Sequence, residues 1–190
     1  MSLTVTELTE KEWLDWDAYV TAAPFGLPQH LSGWRQILHQ TNGYETRYLL
    51  AREGTRIVGV MPLFIVRSLL VGHMATTMPG GLCADSAEVA AALITQGQAL
   101  ARQAKVKGLT LHDTRQAWPG DLSTSSHHVH WLVALEPEAD ALWERLDGNI
   151  RRQVRLARRN DLTVEIDRTG QALGAFYDVF SRFTHQHGTP

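Results

Sequence analysis

The 190-residue sequence is long enough to bury a hydrophobic core, and its length predicts roughly one to one and a half domains. Hydrophobic residues make up 44% and charged residues 20% of the chain, a globular composition that excludes intrinsic disorder. The formal net charge of −2 gives no overall attraction to nucleic acids or other polyanions, so any such affinity has to be local.

The first half of the chain predicts two helices set among strands. Thr9 and Glu12 have the spacing of a capping box and predict the start of the first helix. Gly54 lies in a turn between two apolar strands, and Pro62 inside the second of them suggests an edge strand or a bulge. In chain order we expect a strand at 3–8, helices from 9 and from 31 to 39, and strands at 44–53, 57–66 and 71–78.

The second half predicts a long helix, two further strands and then helices. Asp85 and Glu88 are expected to cap an alanine-rich helix that ends near Lys107. Pro137 occupies the favoured first position of another helix. Strands are expected at 108–114 and 127–135. This order of elements predicts an α+β fold in which helices flank a mixed, mostly antiparallel sheet.

Five arginines occupy the nine positions from 151 to 159, in a segment with helical periodicity. Ile150, Val154 and Ala157 share one face of this helix, so we expect that face to pack inward and the arginines to point outward. A solvated face fits this pattern. Contact with a phosphorylated substrate or a tRNA backbone fits it too, because guanidinium groups bind phosphate bidentately. A sequence-specific nucleic-acid domain is not expected, since no base-reading motif accompanies the charge.

The sequence that begins at Leu3 is repeated in outline from Leu162. Both copies start Leu-Thr-Val, continue through a threonine-containing turn and reach a helix with aromatic residues, which suggests a duplicated unit. Because one strand and one helix cannot bury a core, we expect the chain to be the N-terminal part of a longer protein. The expected divisions are a first domain at 1–136, junction helices at 137–160, and the incomplete start of a second domain at 161–190.

Single residues and short motifs exclude several kinds of site. His127, His128 and His130 suggest a metal, but no carboxylate or thiol partner is visible and no metal is expected. Cys83, the only cysteine, excludes an internal disulfide, and it has no paired base, so a small buried residue is favoured over a nucleophile. No acetyl-CoA pyrophosphate loop is found, since the partial match at 171–176 ends in phenylalanine.

The N-terminus does not have the pattern of a signal peptide, and no apolar run reaches the length of a membrane span. We therefore expect a cytoplasmic protein without an integral membrane segment.

Four stretches together resemble the FemAB family, whose members consist of two domains of acetyltransferase-like (GNAT) architecture. The stretches are "APFGLPQHLSGW", "RIVGVMPLFIVRSLLVG", "PGGLCAD" and "LWERLDGNIRRQVRLARRNDLTVE". They are similar to the family's Pro-Phe loop and helix, its long second hairpin strand, its Gly-Gly turn and its basic junction helix. The resemblance is closest to FemAB-related proteins of exopolysaccharide and exosortase gene clusters. It covers nearly all of this chain and about half of a typical member.

One feature departs from the family pattern. Members usually carry an aromatic residue and then two glycines after the proline, whereas here Pro79 joins Gly80 directly. A substrate contact made by that aromatic residue is therefore not expected in this protein.

The resemblance implies transfer of an acyl or aminoacyl group to an amine, in a groove at or near the interface of two domains. The donor would be aminoacyl-tRNA or an acyl thioester used as co-substrate, with no permanently bound cofactor. The acceptor would be a small-molecule, lipid-linked or nucleotide-linked precursor of the cell envelope or of a polysaccharide. No catalytic residue is assigned. The substrate-side candidates are Phe25, Trp34, Arg67, Gly80, Gly81, Arg151, Arg152 and Arg155.

A non-catalytic binding module of the same fold is the alternative to an enzyme. Such a module would recognise a glycan or a nucleotide-linked precursor without transferring a group to it. The oligomeric state is left open by the sequence.

Overall fold

A computed structural model describes residues 2–68, 72–113, 115, 117–118, 122–125, 132–160 and 162–188. The chain forms two compact units, residues 1–131 and 132–190. Among the described residues, all strands belong to the first unit.

In the first unit, the described residues form short strands and three α-helices. Its strands are β1 (Leu3–Glu7), β2 (Glu45–Thr46), β3 (Leu49–Glu53), β4 (Arg56–Met61), β5 (Leu63–Ser68), β6 (Gly72–Thr77), β7 (Cys83–Ala84) and β8 (Leu109–Thr110). Its helices are α1 (Trp13–Ala22), α2 (Gly33–Asn42) and α3 (Ala87–Gln103). Both predicted helices before β2 and the predicted long helix before β8 are thereby confirmed.

The strands form two four-stranded sheets, with the orders β1-β3-β4-β7 and β2-β5-β6-β8. Within the described residues, every pairing is antiparallel except that of β6 with β8, which is parallel. The predicted α+β fold, with mostly antiparallel strands and flanking helices, is confirmed.

The chain changes from one sheet to the other at Pro62. β4 ends at Met61 in the first sheet, and β5 begins at Leu63 in the second. Proline has no N–H to donate to a strand ladder, so the ladder of the first sheet cannot continue through this position. The single strand predicted at 57–66 is therefore two strands, and Pro62 lies between them rather than at an edge or in a bulge.

A buried tryptophan anchors α1 to the first sheet. Trp16 is 0% exposed, and its ring stacks on that of Tyr48 with the centroids 5.3 Å apart. Its indole Nε1 donates a hydrogen bond to the backbone oxygen of His30 at 2.7 Å. These contacts tie α1 both to β3, through its neighbour Tyr48, and to the loop that precedes α2.

Ser86, rather than Asp85, caps the long helix α3. The Ser86 hydroxyl oxygen accepts a hydrogen bond from the backbone N–H of Val89 at 3.2 Å. The predicted cap at Asp85 is wrong because that carboxylate is already bound by the side chains of Tyr19 and Arg56. Asp85 therefore does not cap α3, and its carboxylate is instead hydrogen-bonded to Tyr19 and Arg56.

The second unit contains α4 (Ala139–Arg145), α5 (Gly148–Arg159) and α6 (Leu173–Gln186). The predicted strand at 162 is wrong, since residues 162–167 lie in no strand. Of the strand predicted at 127–135, residues 127–131 lie outside the described residues and 132–135 form no strand. A strand needs a neighbour to complete its hydrogen-bond ladder, and the described part of this unit offers none.

The apolar face of α5 is not packed into a core. Ile150 is 48% exposed, while Val154 and Ala157 are half-buried. In the described part of the second unit, no residue is buried. The inward packing predicted for this face is therefore wrong for Ile150 and only partial for the other two residues.

Across the described residues, no helix has the length and apolar character needed to cross a membrane.

Candidate functional site

His30 fixes the loop between α1 and α2. Its side chain is fully buried, and its Nδ1 accepts a hydrogen bond from the backbone N–H of Leu27 at 3.1 Å. Its Nε2 lies 3.1 Å from the backbone oxygen of Gly80, which can only accept, so the neutral ring carries its proton on Nε2. Burial lowers the pKa of His30. The imidazole is therefore a neutral structural link between this loop and the Gly80 turn.

The turn at Gly80 and Gly81 needs glycine at both positions. Their φ angles are +106° and +66°, in the region that side chains disfavour. A Cβ atom at Gly80 would lie 2.7 Å from Leu27 and 3.0 Å from the ring of His30. A Cβ atom at Gly81 would lie 2.7 Å from the Cβ of Asp113. Glycine is therefore required at both positions because the loop at Leu27 and His30 and the segment at Asp113 pack closely against the turn.

Arg115 joins the same segments from the other side. Its guanidinium donates to the backbone oxygens of Phe25 at 2.6 Å, Gly80 at 2.5 Å and Leu82 at 3.0 Å. It also pairs with the carboxylate of Asp113 through two bonds of 3.1 Å. Burial alone would raise the pKa of Asp113, but hydrogen bonds from Arg115 and from Trp118 hold it below its ordinary value. The ion pair therefore locks the Phe25 loop onto the Gly80 turn.

A cavity of about 240 Å³ opens beside this locked region. Its lining consists of Tyr19 of α1, Ala23, Pro24 and Phe25 of the segment that follows α1, and Cys83, Ala84 and Asp85 of the strand and turn that follow Gly81. Phe25 is 58% exposed and forms a wall of the cavity rather than part of the core.

The polar end of this cavity is a pair of hydrogen-bonded side chains. The hydroxyl of Tyr19 lies 2.8 Å from a carboxylate oxygen of Asp85 and 3.0 Å from the backbone oxygen of Val58. The other carboxylate oxygen of Asp85 accepts from Arg56 at 3.2 Å. Burial, together with the bond to Asp85, raises the pKa of Tyr19 well above its ordinary range. Tyr19 therefore keeps its proton.

Cys83 is 2% exposed at the wall of this cavity. Burial raises the pKa of its thiol, although the nearby hydroxyl of Tyr19 acts in the opposite direction. A protonated thiol is a poor nucleophile, since the thiolate is the reactive form. The expectation of a small buried residue agrees with this position.

A second, larger cavity of about 390 Å³ lies where α3 ends and β8 begins. Arg102 and Lys107 are the charged residues of its lining. Cationic side chains at the C-terminal end of a helix stabilise the partial negative charge of the last carbonyl groups. That local role accounts for Arg102, which lies in the last turn of α3, whereas the side chain of Lys107 lies beside Gly72.

Two further candidates of the first unit have local partners. The indole Nε1 of Trp34 donates to the backbone oxygen of Pro28 at 3.0 Å and so closes the turn before α2. The guanidinium of Arg67 pairs with Glu45 at 3.1 Å. The structure thus links Phe25, Gly80 and Gly81 through Arg115 and Asp113, whereas the hydrogen bonds of Trp34 and Arg67 go to partners outside that cluster.

The arginines of α5 are exposed except for half-buried Arg151, but they are not all free. Arg151 pairs with Glu144 at 3.0 Å. The guanidiniums of Arg155 and Arg158 each lie 5.8 Å from the centre of the Trp143 ring, within the range of a cation–π contact. The prediction of surface arginines is therefore confirmed for most of them, with two turned onto an aromatic ring.

Several residues of the site were missed at the level of sequence. Tyr19 lay in a predicted helix, Asp113 in a predicted strand and Arg115 outside any predicted element, and none of the three belonged to a motif. Arg115 reaches carbonyl groups 90, 35 and 33 positions away in the chain, so no local pattern could reveal it. For His30, the only signal was its place within the "APFGLPQHLSGW" stretch.

No cluster of three or more possible metal ligands occurs within the part of the chain that the structure describes. The three candidate histidines at 127, 128 and 130 lie outside that part.

No protein-family model matches the chain, and no curated protein matches it in sequence. Among solved structures, a GNAT family acetyltransferase from Staphylococcus aureus subsp. aureus USA300_TCH1516 has 12% identity and a TM-score of 0.47, covering 70% of this chain and 100% of that chain. A ribosomal-protein-alanine N-acetyltransferase from Brucella melitensis biovar Abortus 2308 has 14% identity and a TM-score of 0.48, covering 71% and 100%. An aminoglycoside antibiotic 6′-N-acetyltransferase from Acinetobacter baumannii has 16% identity and a TM-score of 0.47, also covering 71% and 100%. Likenesses at 12–16% identity concern the fold alone, and no family assignment follows from them.

Proposed function

We propose that this chain belongs to a FemAB-like N-acyl or aminoacyltransferase, which moves an acyl or aminoacyl group onto an amine of a cell-envelope or polysaccharide precursor. One observation carries the proposal. The Phe25 loop and the Gly80 turn, which the family resemblance singled out separately, are held together by Arg115 beside a cavity. A fold alone does not define a function. The contact between the Phe25 loop and the Gly80 turn beside a cavity therefore supports the proposal more strongly than the fold does.

Acyl transfer to an amine places definite demands on a site. The amine has to arrive neutral beside an activated ester or thioester, and hydrogen-bond donors have to stabilise the oxyanion that forms. The proposed contribution of this chain is to position substrate, with Phe25, Gly80 and Gly81 shaping the wall. The donor would be an acyl thioester or aminoacyl-tRNA, and the acceptor a small-molecule, lipid-linked or nucleotide-linked precursor.

The arginines of α5 are proposed as contacts for a phosphate-bearing substrate or for tRNA. Of the candidates Arg151, Arg152 and Arg155, Arg152 is the best placed for this role, because only one nitrogen of its guanidinium is bound, to the side-chain oxygen of Asn149 at 3.2 Å. Arg151 and Arg155 would have to exchange their present partners, Glu144 and Trp143, for phosphate.

A non-catalytic binding module is the second candidate, and one observation favours it. Near the cavity, no described side chain is a free base. Asp85 is bound by Tyr19 and Arg56, both nitrogens of His30 are engaged, and the thiol of Cys83 keeps its proton. A site that binds without reacting would have this character.

A transfer assay separates the two candidates. The protein would be incubated with amine acceptors and with radiolabelled acyl thioesters or aminoacyl-tRNA. Label moving to the acceptor, and lost on substitution of Gly81 by valine in a folded variant, is the expected result for the enzyme. Substrate binding without transfer would establish the binding module instead.

A further inference from the structure

The cavity beside Phe25 is lined mostly by apolar side chains, apart from Tyr19 and Asp85 at its polar end. Ala23, Pro24, Phe25 and Ala84 contribute apolar surface, and the thiol of Cys83 behaves as a small apolar group while it stays protonated. At about 240 Å³ the cavity is smaller than the roughly 300–1,000 Å³ typical of sites for whole drug-sized ligands. Its size therefore suits one chemical group of a larger ligand, or a short molecule.

The charges around the cavity are already compensated. Asp85 is bound by the hydroxyl of Tyr19 at 2.8 Å and by the guanidinium of Arg56 at 3.2 Å. Arg115, whose guanidinium lies 6.0 Å from the ring of Phe25, is paired with Asp113 and donates to three backbone oxygens. Within the described residues, neither an unpaired cation nor an unpaired anion faces the cavity. A charged ligand group would have to be buried there without a partner, which is costly.

We propose that this cavity is a binding site for a short, uncharged aliphatic group that carries one hydrogen-bonding function. The aliphatic part would contact Phe25, Ala23 and Ala84, and the hydrogen-bonding function would face Tyr19. The Tyr19 hydroxyl directs its proton to a protein acceptor, so its oxygen accepts from an N–H of the ligand. That this group is the acyl chain of a transferred group rests on the proposed function, whereas the binding itself does not.

Three probes of equal chain length test the claim about charge. Hexanamide is neutral, hexanoate is anionic and hexylamine is cationic at pH 7, and each would be titrated into ¹⁵N-labelled protein while amide resonances are followed by NMR. We expect hexanamide to shift the amides of Ala23 and Ala84 in a saturable way. Hexanoate and hexylamine should bind at least about tenfold more weakly, because each would lose the hydration of a charge. Equal affinity of the three probes would overturn the proposal.

Filling the cavity provides a matched pair of variants. Ala23 lines the cavity, whereas its neighbour Ala22 is exposed and does not. Ala23→Leu should weaken hexanamide binding at least about tenfold by occupying the space, while Ala22→Leu should leave it unchanged. Hexanamide binding that persists in folded Ala23→Leu would contradict the assignment.

The rate at which Cys83 is alkylated tests the site in the native protein, without any substitution. Hexanamide in the cavity should slow the reaction of Cys83 with iodoacetamide, with half-protection at the concentration that half-saturates the NMR shifts. An unchanged labelling rate at saturating hexanamide would count against the site, even if Ala23→Leu failed to fold.

Tyr19→Phe tests the polar end of the cavity. Loss of one hydrogen bond should weaken hexanamide binding about threefold to tenfold, with the two charged probes unaffected. An unchanged affinity for hexanamide would show that Tyr19 does not face the ligand. A protein that binds hexanamide but transfers no group would refute the proposed enzyme and keep this site.

Discussion

The same three residues, Leu-Thr-Val, begin two segments of this chain with different outcomes. At Leu3 they form strand β1, because β3 lies alongside and Val5 pairs with Ala51 across an antiparallel ladder. At Leu162 they form no strand, and Val164 is 92% exposed. An alternating pattern thus predicts a strand only where a partner strand and a core are available to it.

The two units differ in burial as well as in strand pairing. In the first unit, apolar side chains such as Leu50 and Leu63 are fully buried. In α6 of the second unit, Phe176, Tyr177 and Phe183 are each more than half exposed. Stability that comes from apolar burial should therefore reside in the first unit, and matched substitutions in the two units can test that difference.

The largest effect is expected from removing the buried tryptophan of the first unit. Trp16→Ala should lower the free energy of unfolding by about 3–5 kcal/mol, because Trp16 is 0% exposed and its loss leaves a cavity. Trp143→Ala in the second unit is the matched control and should cost about 1 kcal/mol or less. Urea unfolding followed by circular dichroism measures both. Equal losses would show that the second unit has a core comparable to the first.

A smaller loss is expected from adding a methyl group at the Gly80 turn. Gly80→Ala should destabilise the first unit by about 1–3 kcal/mol, since φ is +106° and the new Cβ would press on Leu27 and His30. Gly148→Ala, at the start of α5, meets no atom within 4 Å and should be neutral or slightly stabilising. Thermal unfolding compares the two variants, and a tolerant Gly80 would mean that the turn is free to rearrange.

Acid should act on the two units through different carboxylates. The pKa of Asp113 is lowered in the folded protein, so its pairing with Arg115 stabilises the first unit above the ordinary Asp pKa of about 3.9. That stability is lost as the pH falls through the lower folded value. Asp113→Asn should therefore flatten the dependence of unfolding free energy on pH below about 4. A variant that keeps the wild-type slope would assign the acid sensitivity to other groups.

In the second unit, Asp167 accepts backbone hydrogen bonds from Thr169, Gly170 and Ala172 ahead of α6. These bonds, that of Ala172 first, lower the pKa of Asp167 to about 2. We expect the start of α6 to loosen only as the pH approaches that value. An NMR titration of the Asp167 carboxyl carbon measures it, and an ordinary pKa there would show that the turn is not formed in solution.

The smallest effect on stability is expected from the arginines of α5. Replacing Arg151, Arg155 and Arg158 by Gln should cost about 1 kcal/mol or less per residue, because the ion pair and the cation–π interactions with Trp143 are near the surface. Binding is the sharper measurement. If the helix contacts a polyanion such as tRNA, affinity should fall steeply with salt in the native protein and less steeply in the variant. Unchanged affinity and salt dependence would leave a solvated face as the role of these residues.

The sequence determined the local elements whose signals lie within a few residues. The capping box at Thr9 and Glu12 is present, with the backbone N–H of Thr9 donating to the Glu12 carboxylate at 2.9 Å. The hairpin at Gly54 follows from its φ of +62°, which glycine adopts readily. The periodicity of α3 and the order of the three helices of the first unit were likewise readable, because helical spacing is a local property. The strands predicted at 44–53 and 57–66 each divide into two, and β7 was not predicted.

Only the tertiary structure determined which residues form the site. It also determined that the described residues of the last two predicted strands, 132–135 and 162–167, form no strand. Arg115 binds carbonyl groups far away in the chain, and Asp85 left its predicted capping role for Tyr19 and Arg56. At Pro62 the chain passes from the first sheet to the second, and this is possible only because β2 and β6 pair with β5 in the second sheet. In each case the hydrogen-bonding partner is distant in sequence. The residues next to a side chain in the sequence do not specify which distant donor or acceptor will bind it in the fold.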